Sequence, residues 1–216
     1  MPLDQAAGLR RRGVAQPVVC VTCFFDTASS AERLACAFHQ LGQRVLLVDV
    51  RGRQFAVAPT RSLFGWAHQL AHKQLNVLPQ AYGDGWYAPG LQFDVPGFAE
   101  GITGYDFVIL DAGQIEQALT LPQGVQNTCI VGMSADREST LRAYRLLKTL
   151  SHADNSMDIF LLGEAAICDN VLAAGRHFLE QQFIRRVHSM AREDDAYAAL
   201  AVRMAHEETH RMVRSE

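Results

Sequence analysis

Three short patterns in the chain carry enough side-chain chemistry to be tested first. His206-Glu207-Glu208-Thr209-His210 has the H-E-x-x-H spacing. On a helix, histidines four apart share a face and can hold zinc, with the first glutamate as base. Zincins of this kind take a third ligand from downstream, and only Arg211 to Glu216 follow here. A charged, solvated helix end is therefore the expectation, and no metal site is assigned. His68 and His72 also stand four apart. Their segment carries a good apolar stripe, so they read as surface or core-edge histidines. Cys20 and Cys23 form a C-x-x-C. Redox pairs open helices, where the dipole lowers the thiol pKa. This pair lies instead within Val18-Val19-Cys20-Val21-Thr22-Cys23, a strand-like run. Buried free thiols in a reducing compartment are expected, the more so because the five cysteines are an odd number.

The elements around these patterns alternate. Residues Pro17 to Cys23 read as a buried strand: short, β-branched and apolar on both faces. Ala31 to Leu41 reads as a helix with Leu34, Ala35, Phe38 and Leu41 on one side and Gly42 as terminator. Arg44 to Val50 is a second buried strand, which completes a parallel βαβ unit. Thr60 to Leu75 suggests a helix, and Asn76 to Leu78 a short strand. From Tyr82 to Gly104 the pattern breaks into glycines, prolines and aromatics. Tyr105 to Asp111, Gln126 to Met133 and Asp158 to Leu162 are further strands. Ala135 to Leu150 is a helix that Asp136 can cap, with Leu141, Tyr144, Leu147 and Leu150 facing inward. Ala165 to Gln182 and Asp194 to Val213 are helical as well. The fold class is α/β: a doubly wound, mostly parallel sheet flanked by helices on both faces.

Composition agrees. The 216 residues are 49% apolar and 20% charged, with a formal charge of −3. That excludes a disordered chain, a collagen and a disulfide-dense scaffold. No apolar run approaches the roughly 18 residues of a membrane span. The charge gives no global bias towards nucleic acid or anionic lipid. Arg10 to Arg12 before a short apolar run have the look of a signal peptide. That run is only about eight residues long, at the low end for such a segment, and it leads straight into the βαβ unit. Residues 1–15 are expected as a loose arm and 16–216 as a single domain.

Ligands of doubly wound folds sit beyond the C-terminal ends of the strands. The positions there are Phe24 to Ser30, Asp49 to Arg53, Asp111 to Gln114 and Met133 to Asp136. Their order resembles the deviant-Walker ATPases of the MinD/ParA type, a P-loop NTPase-like fold. In that family the first strand ends in K-G-G-x-G-K-[ST]-[ST], then come a helix ending in L-G, a strand ending in D-x-D and a Y-D-x-x-[IL]-[IL]-D strand. Ala31 to Gly42, then Arg44-Val-Leu-Leu-Val-Asp49, is similar to the helix and second strand. Tyr105 to Gly113 is similar to the second acidic strand and the start of its switch loop. Thr128 to Met133 and Ala135 to Leu150 resemble the strand and helix that follow. The likeness runs over about residues 17 to 165, and its specificity lies in order and spacing rather than in any one piece.

The departures are equally specific. A phosphate loop needs glycines that let backbone N–H groups approach the phosphates, and a lysine to neutralise them. This chain has no glycine between Gly13 and Gly42. Its lysines are Lys73 and Lys148 alone, against 18 arginines, and neither follows a glycine. Ala28 stands where the resemblance places the catalytic lysine, and Asp26 adds negative charge. Ser29 and Ser30 stand at the magnesium-binding hydroxyls, and Asp49 and Asp111 at the two strand-end aspartates, while Arg51 replaces the second D of D-x-D. These four form a vestigial nucleotide and magnesium site at most. Weak nucleotide binding through Arg51 or Arg53 stays open. ATP hydrolysis is not expected, because the groups that stabilise phosphoryl transfer are missing.

The resemblance therefore implies a catalytically degenerate, cytoplasmic protein with no required cofactor. It would act on a protein partner or as a homodimer, in positioning or assembling a bacterial cell-envelope machine such as a division site, flagellum, pilus, secretion or polysaccharide-export complex. The alternative is a nucleotide-dependent switch with an altered phosphate loop. Nucleic acid is not expected as a partner, and the inner membrane is expected only through a partner. Family dimers form across the nucleotide face, which makes Phe24 and Phe25 candidate interface residues. Trp86, Tyr87 and Phe93 are candidate partner anchors, or else part of a packed loop over the sheet edge. Tyr197, Leu200, Ala201 and Met204 are expected to pack on the domain rather than on lipid.

Overall fold

We describe the protein from a computed structural model, at residues 18–49, 75–79, 102, 104–113, 121, 125–153, 157–191 and 196–213. The elements are β1 (Val19–Phe24), α1 (Ala28–Gln40), β2 (Val45–Asp49), β3 (Leu75–Pro79), β4 (Phe107–Asp111) and β5 (Gln126–Gly132). They continue as α2 (Arg137–Ala153), β6 (Asp158–Gly163), α3 (Ala165–Phe178), α4 (Gln181–Ile184), β7 (Val187–Ala191) and α5 (Ala196–Val213). The strands form a single sheet in the order β3-β2-β4-β1-β5-β6-β7. Every pairing in it is parallel. The expected α/β doubly wound class is what the protein has.

Strand alternation sorts the side chains into two layers. Val19, Val21 and Cys23 of β1 join Ile109, Ile130 and Phe160 under α1 and α5. The opposite face carries Phe24, Cys129, Val131, Ile159 and Leu161 under α2 and α3. Further along that face, Cys20, Leu46, Val108 and Leu110 pack with Ile102 and Tyr105. All six residues of β1 are buried, as its apolar sequence demands of a central strand. Tyr197, Leu200, Ala201 and Met204 pack into the α1 layer, as expected. No helix among the described residues is long and apolar enough to cross a membrane.

The cysteine reading follows from the same alternation. Cys20 and Cys23 are three apart in a strand, so their side chains enter different layers and cannot meet. All five cysteines are free, and Cys36 alone is exposed. Burial pushes the Cys20 thiol up to about 12, which leaves no thiolate for redox or metal chemistry.

Two local devices hold the βαβ unit. Gly42 adopts φ +77° just past α1. Its N–H reaches the His39 carbonyl and the Gln43 N–H reaches Phe38, the paired bonds of a Schellman stop. At the edge formed by the strand N-termini, Asp106 takes the Arg44 backbone N–H at 2.8 Å and its guanidinium at 2.8 and 3.3 Å. That clamp ties the starts of β2 and β4.

Three expectations need correction. Leu141 is 45% exposed, and the inner face of α2 is Ala143, Leu146, Leu147 and Leu150. Residues spaced by threes drift about 60° per step around a helix, so the ladder read from the sequence climbed off the face. The helix expected over Ala165 to Gln182 stops at Phe178, where Leu179 turns extended (φ −114°, ψ 159°). The sequence offers no strand at β7: it is an edge strand whose exposed Ser189 and Ala191 alternate with half-buried His188 and Met190, which gives it no apolar run. The helix expected at Thr60 to Leu75 lies, save its last residue, outside the described residues, as do the arm 1–15 and His68 and His72. Gly42→Ala forces a Cβ into the left-handed region, and we expect a loss of about 1 kcal/mol, read by urea unfolding.

Candidate functional site

The sheet order puts β1 in the middle, between β4 and β5. The connection after β1 runs to β2 on one side, while the chain after β5 runs to β6 on the other. This divergence is the switch point at which doubly wound folds hold ligands, beyond the strand C-termini. Three candidate positions converge there. Asp111 ends β4, fully buried, opposite Cys23 of β1. Asp49 ends β2, one residue past the Val48–Leu110 pair, so the two aspartates close adjacent strands. The segment 25–30 leaves β1 between them and β5.

That segment is turned inward. Phe25 is only 2% exposed and lies in the α1 layer. Its ring rests on Gly132 of β5, where a Cβ would come within 2.7 Å of the ring edge. Tyr197 of α5 meets the same ring edge-on at 6.0 Å. The Arg33 guanidinium covers the Tyr197 face at 4.6 Å. Phe24, 5% exposed, lies in the opposite layer. The expectation of these two rings as a partner surface is thus corrected. Strand alternation carries the apolar sequence of β1 into both cores, and neither ring is offered to solvent.

The hydroxyls are engaged as well. Ser30, in the first turn of α1, is 4% exposed. Tyr197 donates its hydroxyl to Ser30 Oγ at 2.8 Å, and Ser30 shares a 2.9 Å bond with Thr27 Oγ1. Ser29 is exposed, with only a 3.5 Å contact to Thr27. The two serines expected as a pair are therefore unlike: one is a buried structural hydroxyl, the other a surface one.

Asp26 is bound across to the next loop. Its Oδ1 takes Arg142 Nη2 of α2 at 2.7 Å, and its Oδ2 takes Ser134 Oγ at 3.4 Å. Asp136 caps α2 as the sequence suggests: its Oδ1 accepts the Ser139 N–H at 2.7 Å. Ser139 Oγ in turn accepts the Ser134 N–H at 3.0 Å, and Ser134 Oγ donates to Asp136. The Ser134 hydroxyl, the Ser139 N–H and the charge of Arg142 together hold the Asp136 carboxyl below its usual value of 3.8. The laced pair of loops after β1 and β5 is invisible to local reading, because Asp26 and Arg142 are 116 residues apart.

Among the described residues, Arg142 beside the loop is paired with Asp26, and the helix cap of α2 is occupied by its own carboxylate. Trp86, Tyr87 and Phe93, with Arg51 and Arg53, lie outside the described residues. In the H-E-x-x-H segment of α5, His206 is exposed and the side chains from Glu207 onward lie outside them too. Among the described residues no three His, Cys, Asp or Glu groups are placed to hold a metal. No protein-family model matches the chain, and no curated protein matches it either.

Two outcomes follow from this geometry. Tyr197→Phe removes one buried bond but leaves Ser30 with Thr27, so it should cost about 1 kcal/mol in urea unfolding. Asp136 has a depressed folded-state pKa, so its contribution to stability is present above the ordinary carboxylate value and fades as pH falls through the lower one. The stability gap between the parent and Asp136→Ala should be full at neutral pH and shrink below about pH 4.

Proposed function

We propose that this chain is a catalytically degenerate MinD/ParA-like protein that works by binding partners. In this reading it is a scaffold or regulator in positioning or assembling a bacterial cell-envelope machine. Its partner is another protein or a second copy, and it meets the inner membrane only through that partner. It requires no cofactor, and nucleic acid is not its ligand.

The observation that carries this reading is the segment after β1. In a working phosphate loop, backbone N–H groups and a lysine face outward to the ligand. Here the same stretch puts Phe25 into the core and ties Asp26 to Arg142, and Ser30 bonds to Tyr197. A triphosphate would have to break these contacts and would meet an aspartate where it needs a cation. The sheet supports the family likeness in a coarser way, since β1 is central and acidic residues close β2 and β4.

A second reading keeps a nucleotide switch with an altered loop. It is favoured by one observation: Asp111 is fully buried at the end of β4, in register with Cys23, two residues before the segment that leaves β1. With Asp49 it would supply oxygen ligands to magnesium.

Titration calorimetry with ATP, GTP and magnesium, run beside light-scattering mass, separates the two. The scaffold reading expects no heat at millimolar nucleotide and an unchanged mass. Micromolar binding, or a mass that responds to nucleotide, would sink it in favour of the switch.

A further inference from the structure

No further inference is drawn: the strongest candidate, the side-chain cluster of Asp26, Ser134 and Asp136 between the loops that follow β1 and β5, is an acidic cluster whose hydrogen bonds and ion pair are made within the fold, and no second observation among the described residues points to a ligand there.

Discussion

A phenyl ring can press its edge onto a strand backbone only where that strand has no side chain in the way, and Gly132 leaves such a place for Phe25. Much of the sheet's C-terminal edge depends on this contact. With the ring turned in, the chain leaves β1 already committed to the α1 layer, and Tyr197 closes on the ring from α5. The Tyr197 hydroxyl then lies within reach of Ser30, which fixes the first turn of α1 against α5. Arg33 covers the outer face of the same tyrosine. Any residue larger than glycine at 132 would have to displace the ring, and the hydroxyl bonds behind it depend on the ring's place. One missing Cβ therefore shapes the start of α1 and the seat of α5.

What local reading recovered is what local physics controls. The strands β1, β2, β4, β5 and β6 announce themselves as short apolar runs because they are buried on both faces. Gly42 and Asp136 end and begin helices through bonds made within a few residues. β7 escaped because an edge strand has one face in solvent and needs no apolar run. Its place is set by pairing with β6, a long-range fact. Leu141 was misplaced for a different reason: a leucine on a helix is read as inward by default, yet exposed leucines are common on folded proteins.

The candidate site was legible in position and not in state. Alternating strands and helices are enough to say that Asp49, Asp111 and the segment after β1 share an edge, and they do. The sequence could not say what each group does there. Ser29 and Ser30 are adjacent and chemically identical, and only α5 separates their roles, through a tyrosine 167 residues from Ser30. Phe24 and Phe25 were candidate interface residues because the family resemblance puts dimer contacts on the nucleotide face, just past the expected strand end at Cys23. They are core because the sheet continues to bury alternate residues on both sides past that point.

The clamp between Arg44 and Asp106 has a bearing on how such a chain can change over time. It fastens β2 to β4 at the end of the sheet remote from the loops, through a backbone N–H and a guanidinium together. Register between those strands is thus held by groups that take no part in anything at the other rim. Substitutions in the rim loops meet a scaffold whose alignment is secured elsewhere, so a drifting loop does not drag the strands with it. A chain built this way can lose one chemistry at its rim, and acquire another surface, without first having to survive as a poorly folded intermediate.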